Sequence, residues 1–202
     1  SHHSSGGGIK EVVLDDDFIN SKLEVNYSSK QRDMAWNVDG GFQFQHYNWY
    51  GLSDLYTDNP TLINSLSVGH SFFDVHIGGD VSFEDTYINS VSVLFRNFSD
   101  NQGSGENRFI AKAQVDLPIN NIEISTGFKI DYLAGGFDTN YLANTALDYS
   151  NFQMGLSPTF QLREDDLTVN LGVSLYYWND IEYGKNKFFI YHNISATYRV
   201  VN

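Results

Sequence analysis

Long runs of strict alternation between apolar and polar residues dominate this chain. Leu167, Val169, Leu171, Val173, Leu175 and Tyr177 alternate with Thr168, Asn170, Gly172, Ser174 and Tyr176. Phe152, Met154, Leu156, Pro158, Phe160 and Leu162 alternate with Gln153, Gly155, Ser157, Thr159 and Gln161. A period of two sends one set to each face of a β-strand. Strands of soluble proteins usually run about 3–10 residues, and a strand tilted across a bilayer needs roughly 9–11. Alternation this long, with aromatic-rich ends and polar connections, predicts an all-β chain. The expected architecture is an antiparallel up-and-down transmembrane β-barrel, present as a partial wall of nine or ten strands.

The pattern places nine strands at about 18–30, 33–48, 62–84, 87–99, 107–117, 121–134, 150–162, 167–179 and 186–201. Pro158, lacking an N–H for the ladder, predicts a bulge within its strand. The connections at 31–32, 84–86, 118–120 and 164–166 are short, and those at 49–61, 100–106, 135–149 and 180–185 are longer and polar. In bacterial barrels short turns are periplasmic, long loops are extracellular, and the strand number is even. Nine is odd, so the pattern predicts a contiguous piece of a larger barrel, with open edges near 18–30 and 186–201. A tenth strand is expected only if Ser1–Ser5 is its stub. Ser1–Gly8 reads either as a strand end entering a Gly-rich loop or as a tag remnant. No signal peptide opens the chain, which predicts a processed or cut N-terminus. No linker divides it, and residues 1–202 read as one barrel segment.

In strand 121–134 the parity sends Ile122, Ile124, Thr126, Phe128, Ile130 and Tyr132 toward lipid. Glu123, Ser125, Gly127, Lys129 and Asp131 then face a lumen. In strand 107–117 the apolar set opposes Arg108, Lys112, Gln114 and Asp116. The lipid-facing set extends to Leu167, Val169, Leu171, Val173 and Leu175, and the charged lumen set is Lys112, Glu123, Lys129 and Asp131. A Lys or Arg on the lipid face costs roughly 2–4 kcal/mol at the midplane, so a bilayer demands charges on one parity. A soluble sandwich would give the same parity, with the apolar set against a second sheet. Trp36, Trp49, Tyr50 and Trp178 lie near strand ends, where an interfacial aromatic belt is expected. Trp49 and Trp178 could also stack on carbohydrate.

The net charge of −13 and pI near 4.6 argue against a nucleic-acid partner, which requires a basic face. Mean hydropathy is −0.34, and no stretch approaches the roughly 18 apolar residues of a spanning helix. There is no Cys, hence no disulfide framework and no thiolate metal site.

The residues carry little chemistry. His46, His70, His76 and His192 are scattered through strands without HxH or HExxH spacing. Asp54, Asp58, Asp100 and Asp138 are hard oxygen donors in loops, but the D-x-D-x-D-G pattern is missing. Gly6–Gly8 and Gly103-Ser104-Gly105 connect no strand to a helix and so form no phosphate loop. GxSxG is absent, and a spatial Ser–His–acid group cannot be read from sequence. No cofactor, metal or catalytic residue is expected.

The stretch from Ser4-Ser5-Gly6-Gly7-Gly8-Ile9-Lys10 through His46-Tyr47-Asn48-Trp49-Tyr50-Gly51-Leu52 resembles large outer-membrane barrels of Bacteroidota, porin-like or TonB-dependent-receptor-like. Ser67-Val68-Gly69-His70 and Ile130-Asp131-Tyr132-Leu133 follow the same pattern, so the resemblance runs along nearly the whole chain. It implies a bacterial outer-membrane location, contact with lipid and lipopolysaccharide, a barrel continuing on both sides and a native origin for Ser1–Gly8. It brings no catalytic motif, TonB box or plug segment. At the family level it also implies possible partners, because some such barrels are subunits of secretion or barrel-insertion machines. Two functions stay open: a non-enzymatic subunit or scaffold of an outer-membrane assembly, and a pore or transporter for small solutes.

Overall fold

The structure is a computed structural model that describes residues 2–5, 18–48, 61, 69–119, 122–138 and 145–199; for 2–5, 118, 119, 122 and 123 it describes the backbone alone. Among the described residues ten strands follow one another: β1 (His2–Ser5), β2 (Phe18–Lys30), β3 (Met34–Asn48), β4 (Gly69–Phe83), β5 (Ile88–Asp100), β6 (Ser104–Ile119), β7 (Ile122–Phe137), β8 (Leu147–Glu164), β9 (Leu167–Asp180) and β10 (Lys185–Tyr198). They form one sheet in sequence order, each strand antiparallel to the next. β1 and β10 do not pair, so the up-and-down sheet is not closed.

The nine long strands fall where the alternation places them, except that 62–68 and 200–201 of the expected spans lie outside the described residues, and four details refine that reading. First, His2–Ser5 forms a short strand on Phe18–Ser21, the stub that a tenth strand required, so among the described residues the strand number is ten and β2 has no outer partner beyond that contact. The argument from an odd count therefore lapses. Second, the expected bulge at Pro158 is not there. Leu156 faces Leu175 and Thr159 faces Gly172 in one unbroken register, while Pro158 still pairs with Thr126 on the other side. Third, the register shift lies between Ile88 and Ser90, where β5 meets β6.

Fourth, two of the expected longer connections are tight turns. β5 runs on to Asp100, whose Oδ1 accepts the N–H groups of Gln102 and Ser104 at 2.8 Å each, and Gly103 takes φ +80°. Asp180 Oδ1 accepts the N–H of Tyr183 at 3.1 Å, and Gly184 takes φ +62°. The Asp and Gly residues that read as loop composition are the chemistry of turns, because a carboxylate satisfies turn amides and glycine takes positive φ freely. At the opposite end Asp85 and Asp165 take φ 59° and 48°, a region that Asp tolerates better than most residues.

Partners across an antiparallel ladder share a face, so the register sorts the side chains. One face is apolar: Phe109, Tyr132 and Phe152 form one cross-strand row, and Ala113, Phe128, Leu156, Leu175 and Ile190 another. Among the described residues no apolar side chain is buried. Phe128 is 46% exposed, Ile130 42% and Leu171 49%, whereas Asp131 on the other face is 6% exposed. Among the described residues no second layer covers the apolar face, as one normally would.

Candidate functional site

The candidate site is the polar face. Three neighbouring rows carry much of its charge. In one, Glu24, Gly41, His76, Arg96 and Arg108 lie side by side from β2 to β6. The next runs Asn26, Asp39, Gly78, Leu94, Ile110, Asp131, Gln153, Trp178, Lys187 from β2 to β10. The third contains Asn37, Asp80, Ser92, Lys112 and Lys129. The period of two is the local cause: the neighbours of each residue along its strand, apolar at most mid-strand positions, take the other face.

Several of these charges are paired, some across strands and some along one. Arg108 binds Asp131 through Nε and Nη2 at 2.9 and 2.8 Å, and Lys129 Nζ reaches the same carboxylate at 3.0 Å. Arg96 makes a bidentate contact with Asp74. Lys22 pairs with Glu24 at 2.6 Å, and His76 Nε2 lies 3.8 Å from Asp39. Tyr149 on β8 reaches over Gly135 on β7 and donates to Glu106 Oε2 on β6 at 2.7 Å. Neutral groups continue the network, with Gln161 donating to Asn170 at 2.7 Å and Asn170 to Ser195 at 3.1 Å.

Open hollows mark this face. One of about 430 Å³ is lined by Arg108, Asp131, Leu133, Asn151, Gln153 and Trp178. Another, of about 390 Å³, lies among Gln43, Gln45, Tyr47, Phe72, Asp74 and Phe98. There Tyr47 stacks on Phe72 at 5.8 Å and Phe72 on Phe98 at 5.9 Å between ring centroids.

Ile124, Phe128, Ile130, Leu167, Val169, Leu171, Val173 and Leu175 stand together on the apolar face, and Lys112, Lys129 and Asp131 on the polar face. The backbones of Ile122 and Glu123 pair with Leu162 and Gln161. Their side chains, and Trp49, Tyr50, Asp54 and Asp58, lie outside the described residues. Trp36 is on the apolar face near the β2–β3 turn, with its ring 5.3 Å from Tyr27. Trp178 departs from the expected belt. It follows the parity of Tyr176 and turns to the polar face beside Gln153 and Lys187, whereas a headgroup anchor belongs on the apolar side. Arg96, Asp74, Glu106 and Tyr149 were not picked out in the sequence; their parity is readable, but their partners depend on register.

Chemically, the face can hold water and polar solutes. His46 Nδ1 and Ser71 Oγ share a 2.8 Å hydrogen bond, but on the apolar face, and no carboxylate orients the imidazole among the described residues. No group of three or more His, Cys, Asp or Glu is close enough to hold a metal among the described residues. No described helix is long and apolar enough to cross a membrane, which says nothing of a barrel. No protein-family model, curated protein or solved structure matches this chain.

Proposed function

We propose that these strands are part of the wall of a bacterial outer-membrane β-barrel, with the apolar face against lipid and the polar face lining a lumen for small polar solutes. One observation carries the reading: among the described residues the sheet buries no apolar side chain, while its mid-strand charges stand on the opposite face. In water such a sheet would expose a continuous apolar surface at a large hydrophobic cost. In a bilayer the same surface is in its preferred solvent, and the charges avoid it. The resemblance to Bacteroidota barrels supports the outer membrane as the location. No catalytic step is assigned.

The absence of cysteine makes the test direct. Single cysteines at Phe128, Ile130 and Leu171 should resist a membrane-impermeant maleimide in the inserted protein, whereas those at Lys129 and Gln153 should react. The reverse labelling pattern, or equal labelling of both sets, would overturn the membrane reading. Single-channel conductance in planar bilayers then tests the lumen as a passage.

A second reading, as a subunit or scaffold of an outer-membrane assembly, is favoured by β10. All its residues are exposed, with Phe188 at 77% and Ile190 at 71%, and its outer edge has no partner strand among the described residues. A protein that copurifies with stable partners and conducts no ions would select this reading.

A further inference from the structure

Charge is divided unevenly along the polar face. On the polar face β2, β3 and β4 contribute Glu24, Asp39, Asp74 and Asp80 against Lys22, while β5, β6 and β7 contribute Arg96, Arg108, Lys112 and Lys129 against Glu106, Asp116 and Asp131. The border between the two flanks is a hollow of about 300 Å³. Asp39 and Asp80 line one side, Lys112 the other, and Gly78 and Ser92 lie between them. Among the described residues no ion pair joins Lys112 to either carboxylate. Gly78 keeps the space open: a Cβ there would meet the Leu94 Cδ1 at 3.2 Å and the Asp39 Oδ1 at 3.3 Å.

We propose that this hollow takes a small dipolar solute that carries both a carboxylate and an ammonium group, as an amino acid or dipeptide does. The solute carboxylate binds Lys112 and its ammonium binds Asp39 and Asp80. The proposal rests on the lumen reading above. Its size is at the small end of ligand sites, which fits a solute of that class. Within the hollow an anion would meet Lys112 but be repelled by Asp39 and Asp80, and a cation the reverse, whereas a dipole satisfies both sides. All three side chains are open to water, so the preference is several-fold and not absolute.

The experiment is swelling of proteoliposomes that hold the intact protein, with glycylglycine compared against its neutral analogue N-acetylglycinamide. Glycylglycine should enter several-fold faster. Lys112→Gln should bring the ratio of rates to unity, as should Asp39→Asn combined with Asp80→Asn, and both should leave the neutral analogue's rate unchanged. That unchanged rate shows that the variants fold and insert. A ratio of unity in the unaltered protein, or a preference that survives both variants, overturns the proposal. If neither solute enters, the lumen reading itself fails, a result distinct from loss of preference.

Discussion

Asp131 accepts the Arg108 guanidinium edge-on, Nε to Oδ1 at 2.9 Å and Nη2 to Oδ2 at 2.8 Å, although the two residues are not directly opposite in the ladder. Asp131 faces Ile110 and Arg108 faces Leu133, so the pair is diagonal across β6 and β7. Diagonal neighbours are within reach of a side chain as long as arginine. Lys129, two residues along β7, completes the triad. One nearly buried carboxylate therefore holds two cations beside each other.

Asp131→Asn removes that shared anion and leaves Arg108 and Lys129 in mutual repulsion. The loss should be about 1–3 kcal/mol, the range for groups deprived of a charged hydrogen-bond partner, and nearer its lower end because Arg108 is open to water. A lower urea midpoint for the folded form in detergent is the expected result, with Asp131→Glu recovering part of it. An unchanged midpoint for the Asn variant would show that the triad contributes nothing.

How far such relationships were legible in the sequence differs between levels. β2 spans the expected 18–30, and β9 ends one residue beyond the expected 179, because a period of two needs only local information. The parity of Lys129 and Asp131 was readable for the same reason. The Arg108 partnership was not, since it depends on register between strands. The reach of Tyr149 over Gly135 to Glu106 needs two registers at once. Asp100 and Asp180 misled in the other direction: their turn chemistry resembles loop composition until the hydrogen bonds of the carboxylates are seen.

Ile130 lies near the middle of β7 on the apolar face, flanked by Ala111 and Met154. Ile130→Arg should cost about 2–4 kcal/mol of stability in lipid, as cationic residues do near a bilayer midplane. Gln153→Arg, on the polar face, should cost much less. Fractions folded in vesicles across a urea series measure both. Equal tolerance of the two arginines would mean that the apolar face meets water.

Gly135 is required where it stands. A Cβ at this position would lie 2.6 Å from the Gly105 carbonyl oxygen and 2.6 Å from the Tyr149 hydroxyl. The carbonyl belongs to the backbone of β6 and cannot swing aside. Gly135→Val should therefore destabilise by about 1–3 kcal/mol, the range for overpacking, and break the Tyr149–Glu106 bond as well. Tyr149→Phe removes the bond alone and should cost about 1 kcal/mol. If the two substitutions shift the unfolding midpoint equally, the close approach at Gly135 carries no cost of its own.

The outer edge of β10 gives the most discriminating measurement. On its inner side the strand pairs with β9 from Lys185–Asp180 to Tyr198–Leu167. In an antiparallel strand the amides point alternately to the two sides, so one neighbour protects only half of them. In hydrocarbon an unpaired N–H costs several kcal/mol, so a lipid-embedded β10 must acquire a second partner strand along its length. Hydrogen exchange on the membrane-inserted protein should then show protection of successive amides from Phe188 to Thr197. Protection of every second amide, with fast exchange between, would mean that the edge stays open and that β10 does not lie in the bilayer.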